Sequence, residues 1–272
     1  MIPFVKAHAC GNDFLILEET VAQRQHAALA RKLCARHTSI GADGIEFLER
    51  RPGGEFFLRL FNADGSEAEL SGNGTRCVAA WLAQSEGLRE VALGTHGGVR
   101  ICRVIEAEGA RYLIESEMGV PRVMPRTIEI AGVASAIEGA MVNVGNPHYV
   151  IFVESEDFSS QGMSWQELGA KIAVDPLFKF GTNVEFVRVL KEDEIAFRIY
   201  ERGCGPTTSS GTGTCASSAA AMTLRGAARK LSAMAEGGGQ MVEWPDAESE
   251  MLLMGPAEII CSGEVEVQFD LL

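Results

Sequence analysis

The sequence predicts an α/β (α+β) chain of two pseudo-symmetric lobes, each a curled, mainly antiparallel sheet around a central apolar helix. Three observations carry this reading. Short β-branched and aromatic runs broken by turns dominate the chain. Helical stretches are few, and two of them are apolar on nearly every side. The same order of strands and helix recurs at a fixed offset of 139 residues.

The strands come first. IPFVKAH, IEFLER, EFFLRLF, VRICRVIEA, ARYLIES, AMVNVG, YVIFVES, VEFVRVL, IAFRIY and EVEVQFDLL show partial alternation of apolar and polar residues, the pattern of a strand with one covered face. Thr20 to Arg36 and Trp165 to Ile172 read as amphipathic helices. Thr75 to Gln84 (TRCVAAWLAQ) and Thr214 to Leu224 (TCASSAAAMTL) are small, apolar and nearly uncharged, as expected of helices buried on all sides.

The repeat organises these elements. At the 139-residue offset Glu46-Phe47 falls on Glu185-Phe186, Arg59-Leu60-Phe61 on Arg198-Ile199-Tyr200, and Ser71-Gly72-Asn73-Gly74-Thr75 on Ser210-Gly211-Thr212-Gly213-Thr214. One Gly-x-Gly-Thr match is a weak signal; strand matches at the same offset make a duplicated domain the better reading. A Met-Gly-Val-Pro turn at Met118 to Pro121 marks the boundary. The expected N-terminal lobe is 1–118, with an unmatched last strand, 264–272, returning to it; the C-terminal lobe is 119–263.

The formal net charge of -13 argues against nucleic acid and anionic membrane surfaces as partners, since both require clustered Lys and Arg. No apolar run is long enough to span a bilayer. The first residues lack the pattern of a signal peptide. Seven cysteines, none in a C-x-x-C pair, fit thiols of a reducing cytoplasm better than disulfides or a zinc site. The histidines lack metal-ligand spacing, and no P-loop, dinucleotide fingerprint or lysine in a recognisable pyridoxal context competes. The expectation is a cytoplasmic protein without metal or cofactor.

Each Ser-Gly-x-Gly-Thr stands at a predicted helix start. Glycine permits close approach of a ligand, and the first N–H groups of a helix are unpaired and partially positive, which suits a carboxylate. Two such starts from two lobes could hold one small acid. Equivalent groups on its two faces would allow one to remove a proton and the other to deliver one.

With HACGNDF, FNADGSE, SGNGTRC, GNPH, GTNVEF and YERG followed by SSGTGTC, the chain resembles the diaminopimelate epimerases, in the same order from residue 4 to the C-terminus. The resemblance implies two pseudo-symmetric α/β lobes with a cleft site, and interconversion of LL- and meso-diaminopimelate without cofactor, on the path to lysine. It implies substrate contacts at Asn12, Asn62, Asn146, Asn183, Glu201 and Arg202, with backbone contacts at Gly72, Asn73, Gly211 and Thr212. Arg202 would pair with the distal carboxylate, and His148 and Glu201 would assist the two acid/base groups. The partner is then a small amino acid, and a homodimer is the assembly common among relatives.

The sequence departs from the family at the two catalytic positions. The family has cysteine before each Gly-x-Gly; here Ser71 and Ser210 stand there. A thiol ionises near 8.5 and lower at a helix N-terminus, whereas a serine hydroxyl is several units less acidic. Ser71, Ser210, His148 and Glu201 are the expected catalytic group of an epimerase. The alternatives are a binding protein of the same fold without turnover, and a related dehydratase or isomerase of a small acid. Cys77, Cys215, Cys204 and Cys10 read as packing or incidental residues rather than replacement thiols. Asp13 reads as a turn residue with no chemistry.

Overall fold

The computed structural model describes residues 1–267. It contains two compact units. One comprises Met1–Ala9, Asp13–Ile114 and the segment from Pro256; the other comprises Cys10–Asn12 and Glu115–Gly255. The boundary therefore lies just before the Met118–Pro121 turn.

In the first unit the order is β1 (Ile2–Ala9), β2 (Asn12–Glu18), α1 (His26–Leu33), β3 (Gly44–Arg51), β4 (Glu55–Asn62), β5 (Glu67–Ala68), α2 (Gly72–Glu86), β6 (Glu90–Thr95), β7 (Gly98–Glu108) and β8 (Arg111–Glu117). β2 runs parallel to β3, with Phe14 opposite Gly44, and β3 is antiparallel to β4. β4 is parallel to β6 through Phe56 opposite Leu93, and β6 is antiparallel to β7. The two-residue period sends alternate side chains to opposite faces. Ile16, Leu48 and Leu60 join the core under α2, while Leu15, Leu17, Ile45 and Phe47 join the core under α1.

The second unit repeats the plan: β9 (Arg122–Ile128), β10 (Ile137–Asn143), β11 (Pro147–Phe152), α3 (Trp165–Ala173), β12 (Asn183–Lys191), β13 (Glu194–Glu201), β14 (Gly205–Thr207), α4 (Gly211–Leu224), β15 (Lys230–Ala235) and β16 (Gly238–Glu243). β11 is parallel to β12 with His148 opposite Asn183, and Ile195 of β13 lies opposite Ala233 of β15. Each pairing reproduces its counterpart in the first unit, so the repeat extends to strand register. α4 is buried from Gly211 to Met222. Its alanines let the sheet approach closely at high packing density.

Three boundaries differ from expectation. The helix predicted over 20–36 is shortened to α1, because Gln23 and Arg24 take positive φ values of 45° and 66° that an α-helix does not allow. The two central helices start at Gly72 and Gly211, one turn earlier than predicted, because serine caps them. The last strand, predicted over 264–272, is instead β17 (Leu252–Val265); residues 268–272 lie outside the described residues. Within β17 the part from Glu258 to Val265 pairs antiparallel with β1.

Asp13 is the buried hub of a partly exposed ionic cluster rather than an isolated turn residue. Arg36 donates to both its carboxylate oxygens at 2.7 and 3.2 Å, and to Asp43 at 2.7 Å. Lys6 Nζ lies 3.1 Å from Asp13. Asp13 and Asp43 also accept each other's backbone N–H at 3.1 and 3.2 Å, tying the start of β2 to the start of β3. Burial alone would raise the Asp13 pKa, but the hydrogen bonds from Arg36 and Lys6 outweigh it and hold the carboxyl below its ordinary range. Its contribution to stability is therefore present above the unfolded pKa and lost as pH falls through the lower folded value. Asp13→Ala is expected to cost about 3 kcal/mol at neutral pH, toward the low end for a broken buried ion pair because Arg36 is half exposed and keeps Asp43 as a partner. Urea denaturation at neutral and acid pH checks this: the deficit should shrink in acid, and a deficit independent of pH would contradict the account.

Candidate active site

Both serines are helix caps. Ser71 Oγ accepts the Gly74 N–H at 3.0 Å and Ser210 Oγ accepts the Gly213 N–H at 3.2 Å. A serine N-cap satisfies one of the four unpaired N–H groups at a helix start. The glycine at each third helical position has a steric cause. A Cβ at Gly74 would collide with Glu46 Oε1; one at Gly213 would lie 2.5 Å from Ile199 Cδ1 and 3.1 Å from Glu185 Oε1.

In the second unit four predicted residues, His148, Asn146, Thr212 and Ser210, form one hydrogen-bonded chain with Glu185. Glu185 Oε1 lies 2.6 Å from His148 Nδ1, and His148 Nε2 lies 2.8 Å from Asn146 Oδ1. Asn146 Nδ2 donates to Thr212 Oγ1 at 3.3 Å, which is 3.4 Å from Ser210 Oγ. His148 and Glu185 are both fully buried side chains. Burial raises the Glu185 pKa, opposed by His148. Glu201 accepts from Thr207 Oγ1 at 2.6 Å. Burial pushes its pKa up to about 6, against the pull of the Thr207 hydroxyl, His148 and the Ser210 hydroxyl.

Asn183 and Arg202 are also joined: Asn183 Oδ1 accepts the Arg202 N–H at 2.9 Å, and Asn183 Nδ2 donates to the Pro147 carbonyl. The Arg202 guanidinium donates to the Phe180 carbonyl at 3.2 Å. Asn12 is buried and belongs with the second unit. It follows Gly11, whose φ of 80° makes the tight turn after Cys10.

In the first unit Asn62 closes the turn after β4, its backbone N–H and Nδ2 donating to Ser66 at 2.9 and 3.1 Å. Asn73 is fully buried and accepts from Arg76 at 2.6 Å. Gly72 and Gly211 are the first residues of their helices, and both are buried.

Sequence reasoning assigned no role to Glu46 or Glu185, which appeared only as matched residues of the repeat. Both lie mid-strand among apolar residues at equivalent positions. A carboxyl recurring in that setting was the available signal. Glu46 is fully buried, its Oε1 without a hydrogen-bond partner, and burial pushes its pKa up to about 8.

The diaminopimelate epimerase family profile matches residues 4–124 and 140–260, covering both units. A diaminopimelate epimerase of Pelotomaculum thermopropionicum is 36% identical over 96% of this chain and 98% of its own length. One from Synechocystis sp. is 34% identical over 98% and 99%. The chain belongs to the diaminopimelate epimerase family. It is an isomerase of the epimerase class, with the two-lobe α+β fold of that family. The fold also resembles a probable proline racemase from Agrobacterium radiobacter (TM-score 0.76, 17% identity, 100% of this chain and 95% of that one). A phenazine biosynthesis protein of the PhzF family from Bacillus anthracis is similar too (TM-score 0.74, 15% identity, 98% and 99%). No described helix is long and apolar enough to cross a membrane.

The raised Glu201 pKa carries a sign. The folded state binds a proton more tightly than the unfolded chain, so the ionised carboxyl costs stability as pH rises from the unfolded value to about 6, and the cost is constant above that. Glu201→Gln, which keeps an acceptor for Thr207, is expected to remove that decline, of order 2 kcal/mol. Thermal denaturation between about pH 4 and 7 checks it; parallel curves for parent and variant would contradict the assignment.

Proposed function

We propose that the protein interconverts LL- and meso-diaminopimelate by proton transfer at the α-carbon without a cofactor, with Ser71 and Ser210 as the two proton-transfer positions. The observation that carries the reading is the matched pair of serine-capped, glycine-started helices in equivalent register. Each start leaves N–H groups suited to a carboxylate, and the serine stands where the reacting proton would be handled.

Serine alone is a weak base. On the Ser210 side Glu201, ionising near pH 6, takes the hydroxyl proton as Ser210 Oγ removes the α-proton. The buried His148–Glu185 pair holds Asn146 and Thr212 around the same hydroxyl. Ser71 Oγ delivers its hydroxyl proton to the opposite face to complete inversion; solvent reprotonates Ser71 and takes the proton held by Glu201, and the reverse direction retraces these transfers. Asn12, Asn62, Asn146 and Asn183 suit an amino acid's mixed donors and acceptors. Arg202 suits the distal carboxylate. The reading places the reaction in the cytoplasm, among those leading to lysine.

A second reading is favoured by one feature. Both hydroxyls are already engaged as caps, which fits a protein that binds the amino acid with little turnover. Incubation with LL-diaminopimelate in deuterated water separates the two. The first reading requires deuterium at the α-carbon and formation of the meso isomer; binding by calorimetry with no exchange at high protein concentration supports the second.

Restoring thiols sharpens the test. Ser71→Cys with Ser210→Cys is expected to raise exchange at least roughly tenfold, because a thiolate becomes accessible near neutral pH. It should lower stability by about 1 kcal/mol for each weakened cap. A double variant slower than its parent would show that serine is integral to the chemistry.

A further inference from the structure

Glu46 is packed against the first turn of α2. It lies on the α2 face of β3, between Ile16 of β2 and Leu60 of β4 across the sheet. Leu48 follows it on the same face, and Phe14 belongs to the same core. Its carboxyl touches the first turn at Gly74, whose N–H is held by Ser71. The side chain is fully buried and Oε1 has no hydrogen-bond partner. The charged group of α2 nearest in sequence is Arg76, which is buried and donates to Asn73. Two residues from Gly74, its Cβ leaves the helix on the opposite side from that of Gly74, at about 100° per residue.

The repeat shows what is unusual here. Glu185, the equivalent of Glu46, is likewise packed against the third residue of its helix, but it has His148 as partner. His148 lies opposite Asn183 on the neighbouring strand, and the residue opposite the equivalent Gly44 is Phe14. The first unit thus keeps the acid and replaces the histidine with an apolar ring. A buried carboxylate without a counter-charge is strongly disfavoured, so such a group takes up a proton.

We propose that Glu46 is a positioning residue of the Ser71 half-site: a neutral carboxylic acid under the first turn of α2 that keeps negative charge away from the helix start where an anionic substrate would sit, and whose ionisation would weaken the binding of that anion. The inference rests on the reading that this helix start receives the carboxylate of an amino acid. An ionised Glu46 would place a like charge close to that carboxylate. Burial pushing the group up to about 8 puts the change in the mildly alkaline range, opposite in sign to the acid limb set by Glu201.

Two measurements on the full chain test this, and one needs no ligand. Infrared difference spectroscopy of the parent against Glu46→Gln should show a protonated carboxyl band at neutral pH that fades in alkali and is absent from the variant. Glu46→Leu, matched to its apolar neighbours, should lack the band too and guards against a fold defect particular to glutamine. Identical carboxyl spectra in parent and variants overturn the proposal.

Calorimetry with LL-diaminopimelate should show parent affinity weakening roughly tenfold more than that of E46Q between about pH 7 and 9, the size of one lost like-charge-free contact. The same alkaline loss in parent, E46Q and E46L overturns the positioning role. Failure of the parent to bind at any pH removes the diaminopimelate reading instead; the infrared band then decides whether Glu46 is the neutral acid proposed.

Discussion

A helix that starts inside a protein core brings its unpaired N–H groups with it, and they must be satisfied where water is scarce. α2 and α4 both begin in this way, with their first residues buried. One N–H of each is met by a serine hydroxyl. The helix dipole makes each start partially positive. The local sequence follows from that: serine to cap, glycine where a sheet glutamate presses on the turn, and asparagine or threonine between. Sheet order and strand register then serve to bring β3 and β12 beneath the two starts.

Duplication supplied two equivalent turns, and divergence made them chemically unequal. In the second unit the buried glutamate orients a histidine, which orients Asn146 and Thr212 beside Ser210. Each of those polar groups is buried, and each is costly to strand. The network therefore holds one arrangement of the turn. In the first unit Phe14 fills the histidine position and Asn62 fills that of Glu201, so the same backbone carries fewer titratable groups. An epimerase must handle protons on two faces of one carbon, and its two faces need not have matching acidities.

Much of this was legible in the sequence because the repeat is ungapped from β3 to the central helix. Glu46 on Glu185, Asn62 on Glu201 and Ser71 on Ser210 share one offset, and the pairings of β3 with β4 and of β4 with β5 share it with their counterparts. What was not legible depended on contacts between distant elements. His148 meets Glu185 only when β11 and β12 run side by side, and Asp13 meets Arg36 only when the loop before β3 folds back. The strand expected from Glu264 overlaps only the end of β17, which begins at Leu252 and passes through Gly255-Pro256; proline is tolerated where its missing N–H is not needed by the ladder. α1 was overextended because nothing in the composition around Gln23 and Arg24 announces left-handed backbone.

The serines pose the sharpest chemical question, and the caps bear on it. A hydroxyl that accepts a helix N–H sits at the positive end of the helix dipole, where negative charge on the oxygen is favoured by about 1 kcal/mol. That is under one pKa unit, far short of the several separating serine from cysteine. The remainder has to come from a neighbouring group that takes the proton rather than from the helix. Glu201 fits that need, with a basicity between an ordinary carboxylate and an imidazole. It is tuned by burial against Thr207, His148 and Ser210. On this account the helix start organises the substrate, and the carboxyl, not the hydroxyl, sets the pH at which the α-proton can move.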